Sequence, residues 1–143
     1  MVESAPQLRD LTLAELNAEA ARLWQRLQPG AVVWLSGEVG SGKTTFVQAL
    51  VRAAGATEPA RSPTFALVHS YDSPAGVIHH ADCYRLKQPA DAADLDLDAL
   101  AHQGRLLVVE WPERAGARAP VATAHLRLSH VPYTGRRRLE YLA

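Results

Sequence analysis

The sequence predicts a three-layer α/β fold, in which helices flank a mixed sheet with a parallel core and additional antiparallel strands. Two observations lead to this prediction. A continuous apolar segment at 31–36 is followed by a glycine-rich turn and a helical segment, which is the start of a strand–helix–strand unit. Segments 124–129 and 138–142 alternate polar and apolar residues. Because the connections between the later strands are short, we expect only antiparallel pairing there.

The remaining predicted elements follow from periodicity and turn signals. In chain order they are a helix opened by a capping box at Thr12 and Glu15, a helix at 46–54, strands at 63–69 and 77–82, a helix at 91–100, and a buried strand at 106–110. The Ser-Pro-Ala-Gly turn at 73–76 joins the two middle strands into a predicted hairpin.

Composition limits the class of protein. The 143 residues contain no linker or repeat, so we expect a single domain over 1–143. The formal net charge is zero, which argues against a protein that binds nucleic acid on its own. Cys83 is the only cysteine and excludes an internal disulfide. The sequence has neither an apolar run of membrane-spanning length nor a secretion signal, and we therefore expect a cytoplasmic location.

The most informative motif is the stretch from Gly37 to Thr44, which fits the phosphate-binding pattern G-x-x-x-x-G-K-[ST]. Its glycines (Gly37, Gly40 and Gly42) let the backbone curl, so that successive N–H groups point at phosphate oxygens. Lys43 supplies a cation for the β- and γ-phosphates, and the Thr44 hydroxyl can ligate Mg²⁺. The motif predicts nucleotide binding in a P-loop NTPase-like fold. The alternative is a glycine-rich turn between core elements that binds no nucleotide.

Two carboxylates stand where strands are predicted to end. Glu110 closes the strand at 106–110, and Asp82 closes the strand at 77–82. Ligands of open α/β sheets lie beyond the carboxyl ends of the strands, so both acids are candidates for the same site. Glu110 is the stronger candidate for holding Mg²⁺ or its waters. Asp82 either orients water or steadies the metal; otherwise it pairs with Arg85.

Other polar and aromatic residues near these strand ends are ambiguous. His79 and His80 lack a further ligand at suitable spacing, so we expect at least one of them to be structural. Trp111 is either core filler or a lid beside the phosphates. The Arg136-Arg137-Arg138 run is more often a solvated face than a phosphate or partner contact.

Four segments occur in a characteristic order: the loop at 37–46, Ser-Pro-Thr-Phe at 62–65, His-Ala-Asp-Cys-Tyr-Arg-Leu at 80–86, and Val-Glu-Trp-Pro-Glu at 109–113. Together they resemble the TsaE (YjeE) family, small ATPases needed to make threonylcarbamoyladenosine in bacterial tRNA. The resemblance covers about 11–138, and the last three segments are more specific than the loop. One departure is Asp96, where the family usually has glycine at a turn.

The resemblance implies ATP as the nucleotide and assigns further roles. It implies that Thr44 and Glu110 hold Mg²⁺, and that Asp82 activates or orients the attacking water. Its other implied site residues are Gly40, Ser41, Gly42, Lys43, Thr44 and Thr45 around the phosphates, and Ser62, Pro63 and Thr64 in a switch that senses the γ-phosphate. It also implies that Trp111 lies near the nucleotide and affects turnover, that the segment near Thr12 approaches the adenine, and that Gly135 and Arg136 lie close to the nucleotide.

The family's partners are TsaB and TsaD, so the resemblance implies ATP-driven cycling on a TsaB–TsaD complex, with tRNA contacted only indirectly. Hydrolysis by the isolated chain is expected to be slow because no clear arginine finger is present; Arg85 or a partner residue could serve. Two alternatives are a small-molecule kinase and a nucleotide-sensing module without catalysis. The chain has no long arginine-bearing insertion of the kind that kinases use as a lid, and its two acids exceed what binding alone needs.

Overall fold

A computed structural model describes residues 8–56 and 68–142. Its strands are β1 (Leu8–Leu11), β2 (Ala31–Ser36), β3 (Val68–Ser73), β4 (Gly76–Asp82), β5 (Leu106–Glu110), β6 (Ala124–His130) and β7 (Arg137–Tyr141). Its α-helices are α1 (Leu13–Arg26), α2 (Lys43–Ala53), α3 (Leu97–Gln103) and α4 (Pro112–Ala115), with 3-10 helices at Pro89–Leu95 and Gly116–Arg118. No helix within these residues is both long and apolar enough to span a membrane.

The seven strands in the described residues form one mixed sheet in the order β1-β7-β6-β2-β5-β4-β3. The four central strands, β6, β2, β5 and β4, run parallel to one another. Antiparallel pairs extend this core at both edges, with β7 and β1 on one side and β3 on the other. The predicted mixed sheet with a parallel core is confirmed.

Helices cover both faces of the sheet and give the predicted three layers. Side chains alternate along each strand, so β2 places Val33 and Leu35 in the core under α1 and α2, and Val32 in a second core under α3. Both cores are apolar and closely packed, with Leu35 and Val33 fully buried. The site described below lies at the end of this sheet where β2, β4 and β5 finish.

Several local predictions are confirmed. The capping box of α1 is present: the Thr12 side chain accepts a hydrogen bond from the Glu15 N–H, and the Glu15 carboxylate accepts one from the Thr12 N–H. Strands β2 and β5 have the predicted bounds. The hairpin of β3 and β4 turns at the predicted Ser73-to-Gly76 segment.

Three predictions differ from the structure. The prediction that the later strands pair only in antiparallel fashion is wrong for β6, which runs parallel to β2 and antiparallel to β7. The connection from β5 to β6 contains α4 and a 3-10 helix, which makes it long enough for a parallel crossover. The helix predicted at 91–100 is a 3-10 helix and α3, separated by Asp96 at a φ of 49°. β1 was not predicted, and only the end of the strand predicted at 63–69 lies within the described residues.

Candidate functional site

The glycine-rich loop connects β2 to α2 and follows a path that requires glycine at three positions. Gly37, Gly40 and Gly42 have φ values of 141°, 83° and 107°, a region that side chains with a Cβ rarely adopt. Gly42 is the N-cap of α2 and provides no side-chain cap. The first N–H groups of this eleven-residue helix are therefore available to an anion, and the helix dipole favours negative charge there.

The loop is also tightly seated on the sheet. A Cβ at Gly37 would overlap the Leu128 carbonyl oxygen and lie 2.7 Å from Ser41 Oγ. Ser41 is buried, and its Oγ has no hydrogen-bond partner in the described part of the chain. A buried hydroxyl without a partner is costly, so the Ser41 hydroxyl is a candidate to hydrogen-bond a ligand at this loop.

Lys43 lies at the centre of the site and is buried. Its ammonium donates hydrogen bonds to the Gly37 and Glu38 carbonyl oxygens, the second at 3.1 Å, and it lies 4.7 Å from the centre of the Trp111 ring. Burial lowers the pKa of Lys43 below its ordinary value, while the carboxylates of Glu110 and Asp82 act in the opposite direction. The ammonium is held in place by groups that an anion can replace.

Glu110 and Asp82 close their strands, as the sequence predicted, and the two strands are adjacent and parallel with these residues opposite each other. Glu110 is 5% exposed, and its Oε2 lies 2.5 Å from His80 Nε2. Asp82 Oδ1 accepts a hydrogen bond from the Tyr84 N–H at 3.0 Å. The expected alternative partner of Asp82, Arg85, makes no ion pair with it within the described residues.

Aromatic and basic side chains form one wall beside the two acids. The rings of Tyr84 and Trp111 lie 5.0 Å apart, and the Arg114 guanidinium packs over both at 5.2 Å and 5.6 Å. Trp111 is the N-cap of α4 and has a φ of 55°, an unusual conformation for a large residue. Because the Trp111 ring also covers Lys43, the tryptophan belongs to the site as well as to the core beneath α3.

The structure brings most of the predicted site residues to one cleft of about 300 Å³. Of the predicted residues, Gly40, Gly42, Lys43, Thr44, Thr45, Asp82, Glu110 and Trp111 line it. Gly37 and Ser41 lie in the loop behind this lining. Thr12 and Gly135 are not lining residues, although Leu11, next to Thr12, pairs with Arg137 at the edge of the cleft. Thr64, together with Ser62 and Pro63, lies outside the described residues.

Three residues at the site, His80, Tyr84 and Arg137, have no role assigned to them from the sequence. Arg137 lines the cleft, and its side chain lies against Gly42, whereas its neighbours Arg136 and Arg138 pair with Glu15 and Asp10. The alternation of side chains along β7 could have indicated the position of Arg137. Arg137 shares a face of β7 with the buried Leu139, and that face looks toward α1 and α2.

The donor set fits a polyphosphate with a divalent cation. The loop offers free helix N–H groups, a buried hydroxyl and an ammonium, which suit phosphate oxygens. No cluster of three or more His, Cys, Asp or Glu side chains suited to a metal occurs in residues 8–56 and 68–142. Mg²⁺ is commonly held by one or two protein oxygens together with substrate phosphates and waters, and Thr44 and Glu110, which both line the cleft, would match that number.

Comparisons with known proteins agree on one family. A family model described as "Threonylcarbamoyl adenosine biosynthesis protein TsaE" matches residues 11–139. The tRNA threonylcarbamoyladenosine biosynthesis protein TsaE of Aquifex aeolicus is 40% identical over 97 residues, covering 66% of this chain and 68% of that protein. The proteins of the same name from Rickettsia bellii and Bacillus subtilis are 39% and 34% identical over 88 and 99 residues, which cover 61% and 69% of this chain. These matches span 60% and 58% of the two relatives, less than two thirds of their length.

A solved structure shares the fold. The crystal structure of Bacillus subtilis YdiB superposes with a TM-score of 0.75 and covers 99% of this chain and 86% of its own. The two sequences are 23% identical, so this similarity supports the architecture alone.

Proposed function

This chain belongs to the TsaE family, and from that premise we propose that it binds ATP with Mg²⁺ in the cleft and hydrolyses the nucleotide slowly. We propose that this activity serves threonylcarbamoyladenosine modification of tRNA. The single observation that supports the ATPase assignment best is the convergence of Lys43, Asp82 and Glu110 on one cleft at the phosphate-binding loop.

The residues of the cleft have different roles in the proposed hydrolysis. The loop N–H groups and Lys43 bind and orient the phosphates, and Thr44 with Glu110 would hold Mg²⁺. When bound, Mg²⁺ neutralises charge that develops on the β- and γ-phosphates. Asp82 lies beside Glu110 at a strand end and is the group we propose to orient the attacking water. The Trp111 and Tyr84 rings form an aromatic wall on this side of the cleft.

The proposed partners are TsaB and TsaD, and the proposed location is the cytoplasm. The TsaE names of the relatives point to the threonylcarbamoyladenosine pathway, and the family resemblance supplies TsaB and TsaD as the partners. The zero net charge of the chain is consistent with tRNA contact through those partners. The cytoplasmic location is a prediction from the sequence.

The proposal is tested by separating binding from hydrolysis at Asp82. We expect Asp82→Asn to bind ATP with Mg²⁺ at nearly parental affinity and to lose about 100-fold or more in single-turnover hydrolysis, as removal of a positioned base does. Asp72→Asn is the matched control because Asp72 is an exposed carboxylate in β3, outside the cleft. Parental hydrolysis by Asp82→Asn would show that the role assigned to Asp82 is wrong.

The same preparation distinguishes the alternative activities. ATP turnover measured with and without a TsaB–TsaD pair tests the partner assignment, and we expect faster turnover or nucleotide-dependent co-elution with the pair. Phosphate transfer to nucleosides or small acceptors faster than hydrolysis would instead identify a kinase. Binding without single-turnover hydrolysis, alone or with partners, would identify a sensing module.

A further inference from the structure

The His80 side chain forms the only described side-chain hydrogen bond to Glu110. We propose that His80 is a positioning residue: it holds one oxygen of the Glu110 carboxylate so that the other remains available to the divalent cation of the bound nucleotide. This inference rests on the proposed function, because it concerns the same Mg²⁺–ATP site.

The contact is short and enclosed. His80 Nε2 lies 2.5 Å from Glu110 Oε2, and the side chains of His80 and Glu110 are 13% and 6% exposed. No described residue donates a hydrogen bond to Glu110 Oε1. The carboxylate therefore has one oxygen that is engaged by protein and one that is not.

The sheet register explains why this histidine reaches that carboxylate. On the parallel strands β4 and β5, Asp82 is opposite Glu110, and His80 is opposite Val108. His80 and Glu110 are thus diagonal neighbours on one face of the sheet, a separation that long side chains can bridge. This is the face under α2, since Ile78 and Val108 belong to the core there. The imidazole lies one pleat below the cleft and supports the carboxylate from inside the protein.

A glutamate needs such support to act as a metal ligand. Its side chain has three rotatable bonds, so a fixed carboxylate requires a partner that limits its rotamers. Ligating carboxylates are commonly hydrogen-bonded by a second group, and loss of that group typically costs about 10–100-fold in metal affinity or activity. His80 supplies the partner through a single N–H on a nearly buried ring.

The adjacent histidine provides a matched control. His79 points to the opposite face of β4, where its Nδ1 lies 2.8 Å from Ser70 Oγ. It has the same side chain on the same strand, yet it has no contact with Glu110. Substitutions at His79 therefore report the general cost of losing an imidazole from β4.

The test measures the Mg²⁺ requirement of nucleotide binding rather than turnover. Mg²⁺ is titrated into a mixture of purified protein and a fluorescent N-methylanthraniloyl derivative of ATP. Binding of the same nucleotide is also measured without Mg²⁺. His80→Leu keeps the volume and removes the donor, whereas His80→Gln keeps an N–H near the position of Nε2. His80→Asn is a polar variant whose amide is too short to reach Glu110, and it replaces His80→Leu if that variant does not fold.

We expect His80→Leu or His80→Asn to raise the half-saturating Mg²⁺ concentration about 10–100-fold, while Mg²⁺-free nucleotide affinity stays at the parental value. We expect His80→Gln to recover most of the loss and the same substitutions at His79 to have no effect. A parental Mg²⁺ requirement in His80→Leu or His80→Asn overturns the inference. Equal losses with and without Mg²⁺, or no recovery in His80→Gln, also overturn it because they indicate a merely structural role. If parental binding does not depend on Mg²⁺, the proposed function fails as well.

Discussion

Gly37 offers the sharpest test of the loop geometry. Its φ is 141°, and a Cβ there would overlap the Leu128 carbonyl oxygen of β6 and crowd Ser41 Oγ at 2.7 Å. A non-glycine residue in such a backbone region costs about 1–3 kcal/mol. Crowding against close-packed backbone adds about 1–3 kcal/mol. We therefore expect Gly37→Ala to destabilise the protein by roughly 2–6 kcal/mol.

Gly135→Ala is the control for backbone strain without crowding. Gly135 has a φ of 70°, but a Cβ there would meet nothing within 4 Å. The expected cost is about 1–2 kcal/mol. Thermal unfolding monitored by circular dichroism measures both variants, and the midpoint should fall about two to three times as far for Gly37→Ala.

Nucleotide binding by the Gly37 variant supplies the second readout. In the folded Gly37→Ala protein, the loop should be displaced from β6, because the Leu128 carbonyl belongs to a paired strand and cannot move freely. We expect weakened ATP binding in a folded protein. A Gly37→Ala protein that melts no lower than Gly135→Ala and binds ATP with parental affinity would contradict this loop geometry.

Three further predictions concern stability and reactivity. Burial would raise the pKa of Glu19, but hydrogen bonds from Tyr141 and Arg9 outweigh it and lower the pKa below the ordinary 4.5. A lowered folded-state pKa contributes stability above the unfolded-state value, and that stability is lost as pH falls through the folded value. The free energy of unfolding, measured with urea, should therefore fall more steeply below about pH 4.5 in the parental protein than in Glu19→Gln. The same pH dependence in both proteins would contradict this. Burial raises the pKa of the Cys83 thiol to about 11, so iodoacetamide at pH 8 should modify Cys83 only after unfolding; rapid labelling of folded protein would count against the buried thiol. Asp96 has a φ of 49° and makes no side-chain cap, so Asp96→Gly should unfold no more readily than the parental protein, whereas Asp96→Val should lose about 1–2 kcal/mol in urea unfolding; the reverse order would be inconsistent with the left-handed turn.

The sequence predicted the centre of the fold because local and tertiary signals agree there. Strand β5 is apolar from Leu106 to Val109 and buried on both faces, so its bounds and its terminal Glu110 are predictable from composition. The loop motif fixed the order of β2 and α2, and together these elements placed Lys43 and Glu110 at one end of the sheet.

The sheet edges and the rest of the site were less predictable. The parallel pairing of β6 depends on a connection folded into short helices that no periodicity indicates. The short strand β1 depends on pairing with β7, which is more than a hundred residues away in the chain. The turn at Asp96 interrupts a segment whose composition favours a helix. These features are set by tertiary contacts that a local pattern does not contain.

The local sequence also does not indicate which side chains contact each other. The sequence predicts that at least one of His79 and His80 is structural, but the contact of His80 with Glu110 follows from the register of β4 against β5. In the same way, three adjacent arginines look equivalent in the sequence. The alternation of β7 and its pairing with β1 separate Arg137, which lines the cleft, from Arg138, which pairs with Asp10.

Calorimetric titration of ATP with Mg²⁺ into the parental protein and Lys43→Met determines whether this cleft binds ATP through Lys43. We expect saturable binding by the parental protein and an affinity about 10–100-fold lower in Lys43→Met, because a charge-assisted hydrogen bond contributes about 1.5–3 kcal/mol. Thermal unfolding verifies that Lys43→Met is folded, as expected when a desolvated ammonium is replaced by an apolar side chain of similar length. Absence of binding heat with the parental protein, or equal affinities in the two proteins, would contradict the assignment of this cleft to ATP.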